Sequence, residues 1–280
     1  MITENPASLF NIRGRVIAIT GALGALSSAA AEYFVAQGAK VACLDLGMTP
    51  ARCEAMETRC GAIDPGCQVI GLVANVLERA SLEKARDAIL EKWGRIDVLL
   101  NGAGGNMEGA TIPPEKTIFD LDFSAFEKVV DLNLHGTVLP SMVFGEVMAR
   151  QGKGAIVNFS SVSADRALTR VVGYSAAKAA VTNFTRWLGV ELARKTNGGV
   201  RVNAVMPGFF VGEQNRRLLT NEDGSLTERG HQIIDKTPFG RFGLAEELRG
   251  TLHYLVSDAS GFVTGVTVPV DGGFTSYCGV

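Results

Sequence analysis

The 280-residue chain predicts an α/β fold: one doubly wound parallel sheet with helices on both faces. Three observations carry this expectation. Short, continuously apolar runs alternate with helix-length stretches along most of the chain, as in strands buried on both faces. The first apolar run ends in Thr20-Gly-Ala-Leu-Gly24, a tight turn that leads straight into an Ala-rich helix. No linker, repeat or low-complexity stretch interrupts the pattern, so residues 1–280 read as a single domain.

The elements follow in order. Val16-Ile-Ala-Ile-Thr20 is a buried strand, residues 28–37 a helix, and Gly38-Ala-Lys turns the chain into a second strand at 41–45. Further strands are expected at 69–74, 96–101, 155–160 and 201–205, with the last at 266–270. Helix patterns lie between them at 82–93, 123–150, 174–194 and 246–256. The least regular stretch, 209–242, centres on Asn221-Glu-Asp-Gly-Ser225 and reads as a mobile, lid-like insertion over the site.

Composition narrows the function classes. Hydrophobic residues make up 46% and charged residues 20%, which suits a globular protein with a sizeable core. A net charge of −2 gives no electrostatic ground for nucleic acid or an anionic membrane as partner. No apolar run approaches the ~18 residues that span a bilayer, and Met1-Ile-Thr-Glu-Asn-Pro6 lacks the parts of a secretory signal. The five cysteines (43, 53, 60, 67, 278) are an odd set with no CxxC. They suggest neither a metal site nor a disulfide framework, and the expectation is reduced thiols in a cytoplasmic protein.

The chemistry begins at Tyr174 and Lys178, four residues apart in Val171-Val-Gly-Tyr-Ser-Ala-Ala-Lys178. On a helix that spacing puts both side chains on one face. A phenol near pKa ~10 holds its proton at neutral pH, and an ammonium one turn away favours the phenolate. The pair is thus a candidate general acid/base. The strand–turn–helix at Thr20-Gly-Ala-Leu-Gly24-Ala-Leu-Ser27 offers backbone N–H groups and a positive dipole end to a pyrophosphate, although GxGxxG spacing is absent. Asp45 ends the second strand, 24 residues after Gly21, where a carboxylate can accept from ribose hydroxyls. It would repel a 2′-phosphate, and no Arg or Lys stands in the adjoining turn. NAD(H) is therefore preferred, with NADP(H) not excluded. Asn75 follows the third strand on the adenine side, and Asn101-Gly-Ala-Gly104 allows close backbone approach to the cofactor.

These residues, with Asp131-Leu-Asn-Leu-His135, Ser161 thirteen residues before Tyr174, and Pro207-Gly208, stand in the order found in the short-chain dehydrogenase/reductases. The chain resembles that family over its whole length. Gly104-Gly-Asn-Met, Phe119-Asp-Leu-Asp, Arg166-Ala-Leu-Thr-Arg170 and Leu219-Thr-Asn-Glu-Asp-Gly-Ser-Leu-Thr-Glu-Arg229 resemble, more narrowly, its D-mannonate oxidoreductase (fructuronate reductase) branch.

The resemblance implies a Rossmann-type fold and an oxidoreductase acting on CH–OH groups. Its catalytic set would be Asn133, Ser161, Tyr174 and Lys178. Tyr174 exchanges the proton and Ser161 supports the carbonyl oxygen, while Ser160, its neighbour on a strand, points the other way. Lys178 lowers the Tyr174 pKa and holds the nicotinamide ribose, and Asn133 organises a water. Cofactor contacts are expected from Gly21, Leu23, Gly24, Ala25, Leu26, Asp45, Asn75, Val76, Asn101, Gly102, Ala103, Tyr174, Lys178, Pro207, Gly208 and Phe210. Substrate contacts are expected from Gly105, Asn106, Arg166, Arg170 and Arg216, with Glu213, Gln214 and Asn215 beside them, the arginines being candidates for a carboxylate.

The implied substrate is a keto sugar acid interconverted with its hydroxy acid, of the D-fructuronate/D-mannonate type. A polyol, gluconate or 3-oxoacyl substrate, or a catalytically silent nucleotide-binding sensor, are the alternatives. A homotetramer built on the helices at 123–150 and 174–194 is implied too. The chain departs from the family at three places. Ala25 and Ser27 stand where glycines are usual, with Ser27 able to cap the helix, and Gly212 replaces a Thr that contacts the nicotinamide carboxamide.

Overall fold

The computed structural model describes residues 6–212 and 216–279. Seven parallel strands form one sheet in the order β3-β2-β1-β4-β5-β6-β7. They are β1 Val16–Thr20, β2 Lys40–Asp45, β3 Gln68–Val73, β4 Val98–Asn101, β5 Gly154–Phe159, β6 Val200–Pro207 and β7 Thr267–Val270. The order reverses between β1 and β4, which opens a crevice at their carboxyl ends. The doubly wound α/β fold predicted from the sequence is thus the observed one.

The central strands read as unbroken apolar runs because both faces are covered. Alternate residues serve opposite faces. Ile17, Ile19, Val41 and Cys43 pack with Phe34 and Val35 of α1 (Ala25–Ala36), Met56 and Cys60 of α2 (Pro50–Ile63), and Leu252 and Leu255 near the C-terminus. Val16, Ala18, Ala42 and Leu44 pack on the other face with Leu82 and Ile89 of α3 (Arg79–Trp93), joined by Val143, Phe144 and Met148.

Helix α2 is absent from the sequence expectation. It buries only Met56 and Cys60, too few for a visible stripe, yet its start is marked: the Thr49 side chain accepts from Arg52 N, and Pro50 follows the cap. The helix expected at 123–150 is three pieces. These are α4 (Phe123–Val130), a π turn at Asp131–His135, and α5 (Gly136–Gln151). Then come α6 (Val172–Lys195) and, between β6 and β7, α7 (Arg216–Leu219) and α8 (Glu228–Ile234). The segment expected at 246–256 is a 3-10 turn, Ala245–Leu248, continued by α9 (Arg249–Val256).

Among the described residues no helix is long and apolar enough to cross a membrane. No group of three or more His, Cys, Asp or Glu there could hold a metal ion.

Candidate active site

The crevice at the carboxyl ends of β1, β4, β5 and β6 collects the residues singled out above. Its floor is built of close backbone approaches. Gly21, at φ 62, sits so near Ala103 that a Cβ would come within 2.6 Å of the Ala103 Cα. A Cβ on Gly102 would collide with the Ser27 hydroxyl and the Thr20 carbonyl. Gly24 caps α1 with no side-chain hydrogen bond, so the first-turn N–H groups stay free for an anionic ligand. The Asp45 carboxylate accepts from Leu23 N at 3.1 Å and Gly47 N at 2.9 Å, and so shapes this turn without GxGxxG glycines. A dinucleotide fits this cradle.

One expectation about this turn changes, and several side chains around it are engaged within the fold. Ser27 does not cap α1: the helix starts at Ala25, and Ser27 is buried beneath Gly102. The Asn101 amide does not face the crevice. It donates to Ser141 Oγ and Asn158 Oδ1, tying β4 to α5 and β5. Asn75 is engaged locally, donating to Glu78 Oε1 and accepting from Leu77 N. Phe210 belongs to the core, its ring against Gly243. Val76 is buried against Gly136, and Gly208 lies against Asp271. A cation does stand by the turn after Asp45. Arg52 Nη1 donates to the Gly47 carbonyl at 2.6 Å. The cap at Thr49 and Pro50 is the sequence signal that places Arg52 there.

Tyr174 and Lys178 share one face of α6, with the Lys178 ammonium 5.6 Å from the centroid of the Tyr174 ring. Lys178 is 4% exposed and donates to the Phe159 carbonyl at 2.8 Å. Burial brings its pKa down to about 8. For Tyr174 the sequence expectation is reversed. Burial raises its pKa, and the hydrogen bond with Ser161 pulls down by less. Desolvation thus outweighs that hydrogen bond, so Tyr174 is a phenol at neutral pH, the form that gives a proton.

Ser161, two residues past β5, accepts from Ser163 N at 3.2 Å and Ser163 Oγ at 3.1 Å. Ser160 points away as expected and bonds Thr182 Oγ1 at 2.6 Å. Asn133 lies in the π turn, a distortion common at functional sites. Its amide donates to the Gly105 carbonyl at 2.7 Å and the Val129 carbonyl at 2.8 Å, and accepts from Gly105 N at 3.0 Å. Those bonds use both amide hydrogens, so Asn133 chiefly pins the loop after β4, with one Oδ1 lone pair left over. A Cβ on Gly104 would lie 2.6 Å from Asn133 Oδ1 and 3.2 Å from Lys178 Nζ, so the three meet at one point.

The expected substrate residues divide. Gly105 is the loop residue held by Asn133, and Asn106 donates to Thr111 Oγ1 at 2.8 Å. Arg166 is taken by the C-terminal segment, both Nε and Nη2 donating to the Thr275 carbonyl. Arg216 is exposed at the start of α7. Arg170 is half-buried just before α6 and faces a cation the sequence reasoning missed, Arg229 of α8. The Thr227 side chain caps α8 through Gly230 N at 3.0 Å, a signal hidden inside an irregular stretch. Glu213, Gln214 and Asn215 lie outside the described residues.

A family model described as enoyl-(acyl carrier protein) reductase matches residues 21–275. The chain is 44% identical over 279 residues to the uncharacterized oxidoreductase UxuB of Bacillus subtilis (strain 168), covering 96% of this chain and 98% of that one. It is similar to a solved structure described as a candidate D-mannonate oxidoreductase from Haemophilus influenzae with bound NAD. That match has 41% identity and a TM-score of 0.87, over 99% of this chain and 100% of the other. A candidate NAD(P)-dependent gluconate 5-dehydrogenase from Beutenbergia cavernae, with NADP bound at low occupancy, matches at 29% identity and a TM-score of 0.82, over 96% and 100%. With Tyr174, Lys178, Ser161 and Asn133 assembled at the carboxyl end of the sheet, the chain belongs to the short-chain dehydrogenase/reductase family and is an oxidoreductase acting on alcohol and keto groups.

Proposed function

We propose that this oxidoreductase uses NAD(H), with NADP(H) as a poorer cofactor, to interconvert a keto sugar acid and its hydroxy acid of the D-fructuronate/D-mannonate type. The observation that carries the cofactor choice is Asp45 at the end of β2, and the NAD-bound relative supports it. The substrate rests on likeness to that relative and on the cations around the crevice.

Bound nicotinamide supplies or takes up the hydride. The α1 N-terminus and the Gly21–Gly102 floor would hold its pyrophosphate, Asp45 the adenosine ribose, and Lys178 the nicotinamide ribose. Ser161 donates a hydrogen bond to the substrate carbonyl oxygen and steadies the charge that grows there. Tyr174 donates the proton to that oxygen in reduction and accepts it in oxidation. Asn133 fixes the loop at Gly104 and Gly105 that closes the space beside Lys178.

We place the enzyme in the cytoplasm as a homotetramer. Met142 of α5 and Trp187 and Val190 of α6 are exposed apolar side chains that partner copies would cover. Sedimentation velocity checks the assembly. The activity is checked by NADH and NADPH oxidation with D-fructuronate, 5-keto-gluconate, neutral ketoses and 3-oxoacyl thioesters. Fastest turnover of D-fructuronate with NADH is expected. Preference for a neutral ketose or a thioester would overturn the substrate, and NADH binding without turnover of any of them would favour the sensor.

A further inference from the structure

Most arginines with a buried or half-buried head sit against a carboxylate or a set of carbonyls. Arg15 pairs with Asp258 at 2.7 Å, Arg86 with Asp87 at 2.8 Å, and Arg201 donates to the carbonyls of Leu255 and Ser257. Arg170 and Arg229 break this rule. Among the described residues neither has a carboxylate within ion-pair distance. Arg229 instead donates to Thr169, through Nη1 to Oγ1 at 2.9 Å and Nη2 to the carbonyl at 3.4 Å. That brings its guanidinium beside Arg170, and burial together with the Arg170 charge lowers its pKa. Two like charges held side by side on partly buried side chains repel each other unless an anion joins them.

The backbone gives a second, independent sign. Arg170 has φ 77, and among the described residues the only other non-glycine with positive φ is Asn197. Asparagine tolerates that region, whereas a long side chain is strained there. The strain is kept in place by Ile112 N, which donates to the Arg170 carbonyl at 2.9 Å and locks this loop to the one after β4. Such outliers gather where a side chain must be aimed. Arg170 precedes Tyr174 by four residues, and Arg229 rides on the insertion between β6 and β7. The pair therefore bridges the loop before the catalytic helix and the insertion above it.

We propose that Arg170 and Arg229 together form the receptor for the substrate carboxylate, so that the acid group of a keto sugar acid ties the insertion to the loop before α6. This deepens, and rests on, the keto sugar acid reading above. It also reassigns the role expected of Arg166 and Arg216. Arg166 is spent on Thr275, and Arg216 is exposed. Two forked guanidiniums on one carboxylate give orientation as well as attraction, and set the distance from acid group to reacting carbonyl.

The test compares D-fructuronate with D-fructose, which carries CH2OH in place of the carboxylate, in the wild type, Arg170→Met, Arg229→Met and the double variant. NADH affinity by fluorescence titration reports that each variant is folded, and Arg170→Lys and Arg229→Lys serve where a methionine variant is not. Each methionine variant is expected to raise KM for fructuronate roughly 10- to 100-fold, more than it lowers kcat, and to cut the acid-over-neutral preference by the same factor. The lysine variants recover part of it. The thermal shift given by D-mannonate, which needs no turnover, should shrink in parallel. A wild type that prefers fructuronate, with variants that keep that preference, would sink the arginine pair and leave the proposed function standing. Discrimination for a different keto acid over its neutral analogue, lost in the variants, would support the pair and overturn fructuronate as substrate. Indifference of the wild type to the carboxylate in every such pair would overturn both.

Discussion

The two ends of the sheet both gather cations, and they treat them in opposite ways. At the amino end, Arg15 binds Asp258 and the Val256 carbonyl, Lys153 binds Asp258 at 3.2 Å, and Arg95 binds Asp97. Arg201, 8% exposed, donates to Leu255, Ser257 and Ser260 and so closes the C-terminus of α9. At the carboxyl end, Lys178 has one carbonyl for partner, Arg229 has Thr169, and among the described residues neither Arg229 nor Arg170 has a carboxylate. Charge matched inside the chain holds the fold. Charge left unmatched at a crevice is held for a ligand or a proton.

The comparison breaks or sharpens most visibly at Tyr174. Tyr174→Phe should lower kcat by about 10²- to 10⁴-fold while NADH affinity and the melting temperature stay put, read by steady-state kinetics, fluorescence titration and calorimetry. Arg201→Met should do the reverse. It frees several buried acceptors and should cost about 2–4 kcal/mol of stability in urea unfolding, with kcat of the folded fraction unchanged. A loss of activity without a loss of stability there would make the amino end a functional site too.

Cofactor choice tests a smaller effect. Asp45→Asn keeps an acceptor for Leu23 N but removes the charge, and should shift preference from NADH toward NADPH by about 10-fold or more. Adding Arg52→Ala should take back most of that gain, since Arg52 is the cation beside this turn. Equal kcat/KM ratios in all three proteins would remove both residues from cofactor selection. Least dramatic is the pH profile. Reduction should be level from roughly pH 6 to 7.5 and fall as Lys178, held at about 8 by burial, loses its proton. The residual activity of Lys178→Met should lack that fall.

Much of this was legible in the sequence because it depends on what lies next to what along the chain. Val16-Ile-Ala-Ile-Thr20 and the runs like it announce buried strands. Ser161, Tyr174 and Lys178 keep their meaning at fixed spacing on one strand end and one helix. What was not legible depends on the third dimension. The four-residue spacing of Tyr174 and Lys178 cannot show how deeply either is buried, so the direction of the Tyr174 pKa came out reversed. Asn133 of the π turn bonds Gly105, a contact 28 residues away that spacing along the chain does not reveal. Ser27 and Asn101 occupy the expected elements but turn inward, and a side chain's direction at an element end is set by its neighbours. Arg229 was hidden because the insertion has no apolar period to place its helix.

Lys178 decides between the two kinds of charge most directly. Its pKa of about 8 in the fold lies below the ordinary 10.5. The ammonium therefore costs about 3 kcal/mol at pH 7, a cost that fades as pH rises through 8 toward 10.5. Lys178→Met removes the charge while leaving the Phe159 carbonyl without its donor. Melting temperature and kcat measured on the same Lys178→Met sample at pH 7 give the answer. A melting temperature held or raised, with kcat down about 10²-fold or more, is the predicted result. A melting temperature that drops as it does for Arg201→Met would contradict the claim that charge at the carboxyl end is kept for chemistry and not for the fold.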